Sequence, residues 1–453
     1  MNPADHTTPP PPDPAASPPD HTTPPSDEWT TPLDLRDPVN RWLDERRDDA
    51  IDLLRRLVRA RSTQGHERAA QQIVAEHLRI LGLEVDVWDP DGPTLSNDPY
   101  FCSPRTDFGG SPNVVGVWKG SGGGRSMILN GHIDVVPVGD PSQWTRDPWA
   151  ADVDEGRLYG RGASDMKGGS VSLLLGVAAL RSLGVRLKGD VIVQSVVDEE
   201  SGGAGTLAAI RRGYRADAAL VPEPTGMRIF PKQQGSLWFR LTVAGRGAHG
   251  GTRYEGVSAI EKTLPVLAAL AHLETERNAR IDDPLYAGSP IPVPVNVGSI
   301  KGGDWPSMVP DRVTLEGRLG VIPGEPVEAA QAEMAAALGA IADDDCWFAE
   351  HPVTLEWFGA RWLPGDVDEG SDLVRSLSAR YRDVLGEDPV IAASPWGTDA
   401  GLLAAVGDTP GVVFGPGTTA VAHYADEYVE IDRVLEVAAI VALTLVDWCG
   451  VAR

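Results

Sequence analysis

The sequence has few cysteines and lacks an apolar run long enough to span a membrane. Its 453 residues include three cysteines, Cys102, Cys346 and Cys449, which lie far apart. They form neither a disulfide framework nor the paired spacing of a zinc ribbon, so we expect a reducing, cytoplasmic compartment. The apolar stretch over residues 171–180 is too short to cross a bilayer. The first residues lack the basic, apolar and small-residue order of a signal peptide, and we expect no membrane partner.

Basic residues are scarce relative to acidic ones. Lys and Arg number 40 and Asp and Glu number 65, which gives a formal net charge of −25 at pH 7. This excess of negative charge argues against nucleic acid and anionic membranes as partners. Because acidity is also a general solubility feature, it leaves the substrate open. The length allows two domains with a large core.

The pattern along the chain predicts three parts. Residues 1–30 are rich in proline and polar residues and contain "DHTTPP" twice, a composition that predicts a disordered tail. From residue 31, apolar strands such as "NVVGVW", "DVIVQSVV" and "AALVPEP" alternate with helical patterns, which predicts an α/β sheet covered by helices on both faces. Residues 235–359 instead follow the order strand–helix–strand–strand–helix–strand of a ferredoxin-like split unit. We therefore expect an α/β domain of residues 31–234 and 360–453, with an inserted α+β domain of residues 235–359.

Polar side chains recur at the ends of the predicted strands, where open α/β sheets place their sites. Each one alone has an ordinary structural explanation, such as a strand-end histidine, a helix-capping aspartate or a solvated turn. Their recurrence at four successive strand ends and in one glycine-rich loop favours a shared site instead. The recurring residues are His132 and Asp134 in "GHIDVVP", Asp165 in "GRGASDMKGG", Glu199 and Glu200 in "VVDEES", Glu223 in "PEPT", and His423 in "AHYADEYV".

This set of imidazoles and carboxylates suits a borderline divalent cation, zinc first and cobalt second. Sulfur ligands are too few for a structural zinc site, whereas carboxylates and imidazoles with water are typical of a catalytic one. A phosphohydrolase with the same metal chemistry is disfavoured because the chain has no phosphate-binding glycine loop.

The five motifs, in this order, resemble those of a family of two-metal amidohydrolases and exopeptidases. The family includes acetylornithine deacetylase, succinyl-diaminopimelate desuccinylase, glutamate carboxypeptidase and the aminoacylases, and the resemblance runs from about residue 32 to the C-terminus. It implies a catalytic domain with a mixed, mostly parallel sheet flanked by helices. It also implies that the inserted domain is a lid that often mediates dimerisation, so we expect a homodimer.

The resemblance also implies which residues bind metal. Asp165 would bridge two ions. His132 and Glu223 would complete the protein ligands of one ion, and Glu200 and His423 those of the other. A carboxylate suits the bridging role because its two oxygens can contact two cations.

Other roles follow from the same resemblance. Glu199 would be the general base, and the Asp134 carboxylate would accept the free N–H of the metal-binding histidine and fix its tautomer. In the inserted domain, His249 in "GRGAHGG" would donate to the substrate carbonyl, often from the neighbouring subunit. Arg318 in "EGRLGV" would bind a substrate carboxylate, since a guanidinium offers a bidentate fork. Asn296 would be a further substrate contact.

We therefore expect a metal-dependent hydrolase that cleaves an amide C–N bond in a small N-acyl amino acid or related N-acyl amine. "PEPT", with glutamate rather than aspartate, resembles the deacetylase and desuccinylase branch. The alternatives are an exopeptidase acting on a dipeptide or glutamyl conjugate, an N-formyl pyrimidine deformylase, and a non-catalytic homologue. The presence of Glu199 and every expected ligand argues against the last. The segment "GGDWPSMVP" and the long loop over residues 98–113 depart from the family pattern and leave the acyl group and the amine open.

Overall fold

The computed structural model describes residues 34–452, so the predicted disordered tail lies outside the described residues. The α-helices of this part of the chain are α1 (Arg36–Glu45), α2 (Arg47–Arg59), α3 (Arg68–Ile80), α4 (Gly92–Leu95), α5 (Gly168–Ser182), α6 (Ala204–Arg211), α7 (Ala259–Ala279), α8 (Val327–Gly339), α9 (Ile341–Asp344), α10 (Trp347–Glu350), α11 (Asp372–Leu385), α12 (Asp399–Gly407) and α13 (Ile431–Cys449).

The strands are β1 (Glu84–Trp88), β2 (Asn113–Trp118), β3 (Met127–His132), β4 (Val153–Asp154), β5 (Arg157–Tyr159), β6 (Val191–Val196), β7 (Ala218–Val221), β8 (Ile229–Gln233), β9 (Gly235–Ala244), β10 (Ala248–His249), β11 (Val295–Gly302), β12 (Met308–Val309), β13 (Arg312–Val321), β14 (Thr354–Trp362), β15 (Gly365–Asp366), β16 (Ile391–Ser394), β17 (Gly411–Val413) and β18 (Tyr428–Glu430). None of the helices in residues 34–452 combines the length and apolar composition that a transmembrane segment needs.

A large mixed sheet has the strand order β1-β2-β6-β3-β7-β17-β8-β15, with β16 also paired to β8. The four central strands, β6, β3, β7 and β17, run parallel. Towards both edges the pairs β1–β2, β2–β6, β17–β8 and β15–β8 are antiparallel. The α/β prediction is confirmed, and its parallel character holds for the centre of the sheet, where the site lies.

Helices bury both faces of this sheet. Every residue of β3 and β6 is buried, as expected for parallel strands covered on two sides. Helix α5 is apolar on all sides and almost wholly buried, as a helix inside a core must be, and it packs against α13. Helices α6 and α12 pack on each other and contribute to a core cluster with residues of the central strands.

A second, four-stranded antiparallel sheet has the order β11-β13-β9-β14. In chain order its elements run β9, α7, β11, β13, α8, β14, so the predicted βαββαβ arrangement is confirmed. Alternate residues of β9, Leu237, Phe239 and Leu241, enter a core of its own with α7 and α8. After Trp362 the chain returns to the large sheet. The division of the chain into separate domains stays a prediction.

Candidate metal centre

The parallel centre of the large sheet brings three strand ends together. Strand β3 lies between β6 and β7 and ends at His132. Strand β6 leads into a 3₁₀ turn over Glu199–Ser201, and β7 ends two residues before Glu223. Because parallel strands end at the same edge of a sheet, these side chains converge there.

Asp165 lies between the two imidazoles of the site. Its Oδ1 is 3.1 Å from Nε2 of His132, and its Oδ2 is 3.1 Å from Nε2 of His423. Oε1 of Glu200 is also 3.1 Å from Nε2 of His423. Oε1 of Glu223 is 3.8 Å from Nε2 of His132. The structure thus brings all five predicted metal ligands together, with Asp165 in the central position.

These spacings fit nitrogen and oxygen ligands of metal ions. In a tetrahedral zinc site with bonds of roughly 2.0–2.1 Å, neighbouring ligand atoms lie about 3.3 Å apart. Ligand atoms of His132, Asp165 and Glu200 all lie within 4.8 Å of one another, and so do those of His132, Glu199 and Glu223. The two groups share His132, so they overlap in one continuous cluster, and Glu199 is itself close enough to be a ligand.

Without bound cations, the buried carboxylates of this cluster repel one another, and this repulsion shifts their pKa values. Burial, together with repulsion from Asp165 and Glu200, raises the pKa of Glu223 to about 8. Burial and the Glu223 charge likewise raise the pKa of Glu199 well above its usual range. Although burial opposes it, contact with Asp165 and Glu200 raises the pKa of His423 to about 11. Protons therefore occupy the metal-free site, where divalent cations would offset the same negative charge.

The backbone and the carboxylate of Asp134 have different partners. Nδ1 of His132 lies 2.8 Å from the backbone carbonyl oxygen of Asp134 and 3.8 Å from its carboxylate. The carboxylate instead accepts the backbone N–H groups of Glu199 at 3.3 Å and Glu200 at 3.2 Å. The hydrogen-bond contact of His132 Nδ1 is therefore with the Asp134 backbone rather than with its carboxylate, and the catalytic role of Asp134 stays a prediction. Asp134 thus orients His132 through its backbone and the Glu199–Glu200 pair through its side chain.

Asp198, the acidic residue directly before Glu199, anchors the same turn. It has a left-handed backbone with φ of 69° and is fully buried. Its Oδ1 accepts from Arg105 Nε at 3.1 Å and Gln64 Nε2 at 3.0 Å, and Arg105 also pairs with buried Glu67 at 2.9 Å. Arg105 belongs to the long loop over residues 98–113. The unusual length of that loop is a feature of the sequence that could have indicated a contact with the site.

Arg161 and Glu427 form a second buried ion pair that sequence reasoning missed. Arg161 Nη1 donates to Glu427 Oε2 at 2.6 Å. The Glu427 carboxylate also accepts backbone N–H groups of Gly162, Ser164 and Asp165 at 2.9–3.1 Å. Arg161 Nη2 in turn donates to the backbone oxygen of His423. The pair ties the Asp165 segment to the His423 segment, and its glutamate stands within the quoted motif "AHYADEYV".

A cavity of about 510 Å³ opens onto the metal ligands. Three of its lining residues are tryptophans, and the full lining is Val136, Asp165, Glu199, Glu200, Glu223, Pro224, Ser236, Trp238, Arg318, Trp362, Trp396, Gly397, Thr398, Thr419, Ala422 and His423. Arg318 lies opposite Trp238 across the β13–β9 pair, so both project from one face of the second sheet. Among the described residues, Arg318 Nε and Nη2 have no hydrogen-bond partner, and burial lowers the pKa of this guanidinium.

Two predicted substrate contacts are not brought to this cavity. Asn296 lies opposite Arg318 in the β11–β13 pair, but its side chain is exposed. His249 is exposed, and its Nδ1 accepts the backbone N–H of Gly251 at 3.1 Å. Neither residue is among those that line the cavity within one chain.

The chain is similar to several known hydrolases. It is 32% identical over 437 residues to N-formyl-4-amino-5-aminomethyl-2-methylpyrimidine deformylase of Bacillus subtilis, covering 90% of this chain and 96% of that protein. It is 31% identical over 344 residues to acetylornithine deacetylase of Myxococcus xanthus, covering 75% and 84%. The dipeptidase Dug1p of Saccharomyces cerevisiae has the same fold, with a TM-score of 0.70, 14% identity and coverage of 90% and 98%.

The mixed α/β fold, the second sheet and the cluster of imidazoles and carboxylates define a metal-dependent hydrolase of amide C–N bonds. The sequence pattern of peptidase family M20/M25/M40 matches residues 128–447. The chain belongs to that family, and the predicted resemblance and enzyme class are confirmed.

Proposed function

We propose that this enzyme removes a small acyl group, formyl foremost, from an amine carried on a pyrimidine-type ring. The observation that carries the proposal is that three indoles, of Trp238, Trp362 and Trp396, line the same cavity as Glu199. Aromatic faces pack well against a planar ring. Similarity to a pyrimidine deformylase over nearly the whole chain supports the same substrate class.

The residues of the site fit two divalent cations, which we propose to be zinc, with cobalt as a functional substitute. When bound, such ions polarise an amide carbonyl and lower the pKa of water. The proposed ligands are Asp165 between the ions, His132 and Glu223 on one side, and Glu200 and His423 on the other.

Glu199 is the proposed general base. It would take a proton from the attacking water and deliver it to the leaving amine, so that one carboxylate serves both halves of the hydrolysis. Its buried position beside Glu223 raises its pKa and therefore its basicity in the metal-free protein. Asp134 would keep the Glu199 backbone in place through the hydrogen bond described above.

A second candidate is deacylation of an N-acyl amino acid. It is favoured by Arg318, a cavity-lining residue whose buried Nε and Nη2 have no hydrogen-bond partner among the described residues and whose guanidinium would suit a substrate carboxylate. Similarity to acetylornithine deacetylase points in the same direction. In the pyrimidine case, the guanidinium would donate to a ring nitrogen instead.

A substrate panel separates the two candidates. The zinc-loaded protein would be assayed with N-formyl aminomethylpyrimidine, N-acetylornithine, N-succinyl-diaminopimelate and dipeptides. We expect the highest kcat/KM for the formyl pyrimidine, and a higher kcat/KM for an acyl amino acid would overturn the proposal. Arg318→Met should depress turnover of anionic substrates far more than that of the neutral pyrimidine, with Arg318→Lys retaining the charge without the fork.

We further propose a homodimer that forms through residues 235–359, in the cytoplasm. Helix α7 exposes Ile260, Leu264 and Leu267, which lie on one helical face and would be covered by a second copy. His249 could then reach the cavity of the partner. Light scattering would give the oligomeric state. Mixing His249→Ala with Glu199→Gln chains would test sharing of the site, because only shared sites recover activity in the mixture.

A further inference from the structure

We propose that Trp362 is a positioning residue that fixes the orientation of the Glu199 carboxylate. Trp362 Nε1 donates a hydrogen bond to Glu199 Oε1 at 2.9 Å. Trp362 is the last residue of β14 in the second sheet, while Glu199 follows β6 of the large sheet. A side chain of the second sheet therefore contacts the proposed base, which follows a strand of the large sheet. The inference rests on the proposed role of Glu199.

The surroundings of Trp362 hold its indole in one place. Gly397 packs so closely that a Cβ added there would lie 2.4 Å from Cβ of Trp362 and 3.0 Å from the backbone oxygen of Gln234. The Trp238 ring lies beside it, with centroids 6.3 Å apart. A packed indole presents its N–H in a defined direction, as a residue that positions another group must.

A second contact joins the same two segments. The Cys102 sulfur lies 3.3 Å from the backbone oxygen of Gly202, at the end of the Glu199 turn. It also lies 3.5 Å from the backbone oxygen of Arg361, the neighbour of Trp362. Arg361 donates to the backbone oxygen of Pro99 at 2.7 Å. The end of β14 is thus attached to the base-bearing turn at two adjacent residues, and a displacement of the second sheet would change the direction of the base.

The hydrogen bond matters because the terminal torsion of a glutamate is loosely restrained. With Oε1 held by the indole, Oε2 is the oxygen left to accept the proton from water. Without the N–H, the carboxylate could rotate while remaining in its buried place. A small misplacement of a reacting group costs about 100-fold in rate, so we expect kcat to fall about 10- to 100-fold with little change in KM.

The sharpest test removes only the donor. Trp362 would be replaced by β-(3-benzothienyl)alanine, in which sulfur substitutes for N–H, in the full-length zinc-loaded enzyme. We expect the loss in kcat with unchanged KM, metal content and melting temperature. Trp396→Phe is the matched control, because it removes an indole that lines the cavity and should raise KM more than it lowers kcat. A kcat within twofold of the unmodified enzyme would overturn the proposal.

A double-mutant cycle tests whether the effect passes through Glu199. Trp362→Phe should cost 10- to 100-fold alone but less than about threefold in a Glu199→Gln background, because the group that it positions is already lost. Equal losses in both backgrounds would overturn the positioning role. Near-normal activity of Glu199→Gln alone would instead overturn the assignment of the base. That result leaves the substrate proposal, which the panel tests separately, intact.

Discussion

The edge of the large sheet and the face of the second sheet contribute to the same cavity in different ways. At the sheet edge, the predicted ligands are fixed by their own strand ends and by buried carboxylates that accept backbone N–H groups. The second sheet supplies longer side chains, Trp238, Arg318 and Trp362, from strands paired far along the sequence. The first region supplies the proposed metal ligands, and the second supplies side chains that face the substrate space. This contrast predicts that changes at the edge affect kcat and metal content, whereas changes at Trp238 and Arg318 affect substrate choice. Trp362 is the expected exception, because its hydrogen bond to Glu199 makes it act on kcat.

The largest expected effect is on the base. Glu199→Gln should keep two bound metals and lower kcat by about 10²- to 10⁴-fold, because proton transfer from water is lost while the metal ligands remain. Kinetics and elemental analysis of the same preparation would measure both. Since Glu199 also lies within ligand distance of His132 and Glu223, loss of one metal in this variant would show that it acts as a ligand.

The next prediction concerns the buried pair Arg161–Glu427. It tests whether this ion pair stabilises the segments that carry Asp165 and His423. Glu427→Gln leaves a buried guanidinium without its countercharge, which costs about 3–5 kcal/mol of folding free energy. Denaturant titration would measure the loss, and metal affinity should fall with it because the Asp165 and His423 segments separate. Arg157→Gln, which breaks a partly exposed pair with Glu430, is the control and should cost far less. Equal losses in both variants would contradict the role of the buried pair.

Metal affinity should rise with pH. In the metal-free protein the pKa of His423 is raised to about 11, so this imidazole is protonated at neutral pH and must lose its proton to bind a cation. Affinity should therefore increase between pH 6 and 8, by up to about tenfold per pH unit for each proton displaced. Calorimetry in buffers of different ionisation enthalpy would count the released protons. A pH-independent affinity with no proton release would contradict this account.

The smallest effect is expected from the N-terminal tail. Deleting residues 1–30, whose proline-rich composition cannot form a packed core, should leave the melting temperature and turnover essentially unchanged. Scanning calorimetry and the substrate assay would check this against the full chain. A clear loss of either would mean that the tail belongs to one of the two regions compared above.

Local motifs predicted the cluster in part because His132, Glu200 and Glu223 each lie within a few positions of a strand end, and strand order then brings them together. Asp165 precedes helix α5 and His423 lies in the loop before β18, so for these two the motifs rather than the strand ends carried the prediction. The supporting pairs escaped prediction because their partners are distant in sequence: Arg161 and Glu427 are 266 residues apart, and Arg105 and Asp198 are 93 apart. Asp134 shows another limit. Its side chain and its backbone oxygen are both acceptors near His132, and only the folded geometry decides which one is used. Glu199 and Glu200 lie in a 3₁₀ helix that follows β6.

The Arg161–Glu427 contact also constrains when the enzyme can become active during its synthesis. Asp165 emerges from the ribosome long before the Glu427 segment that fixes it. At a translation rate of about 5–20 residues per second, the 266-residue interval between the partners corresponds to roughly 15–50 s. For most of that interval the nascent chain carries four of the five proposed metal ligands and still lacks His423. We therefore expect the full set of ligands to assemble only after the segment that holds His423 and Glu427 has been made.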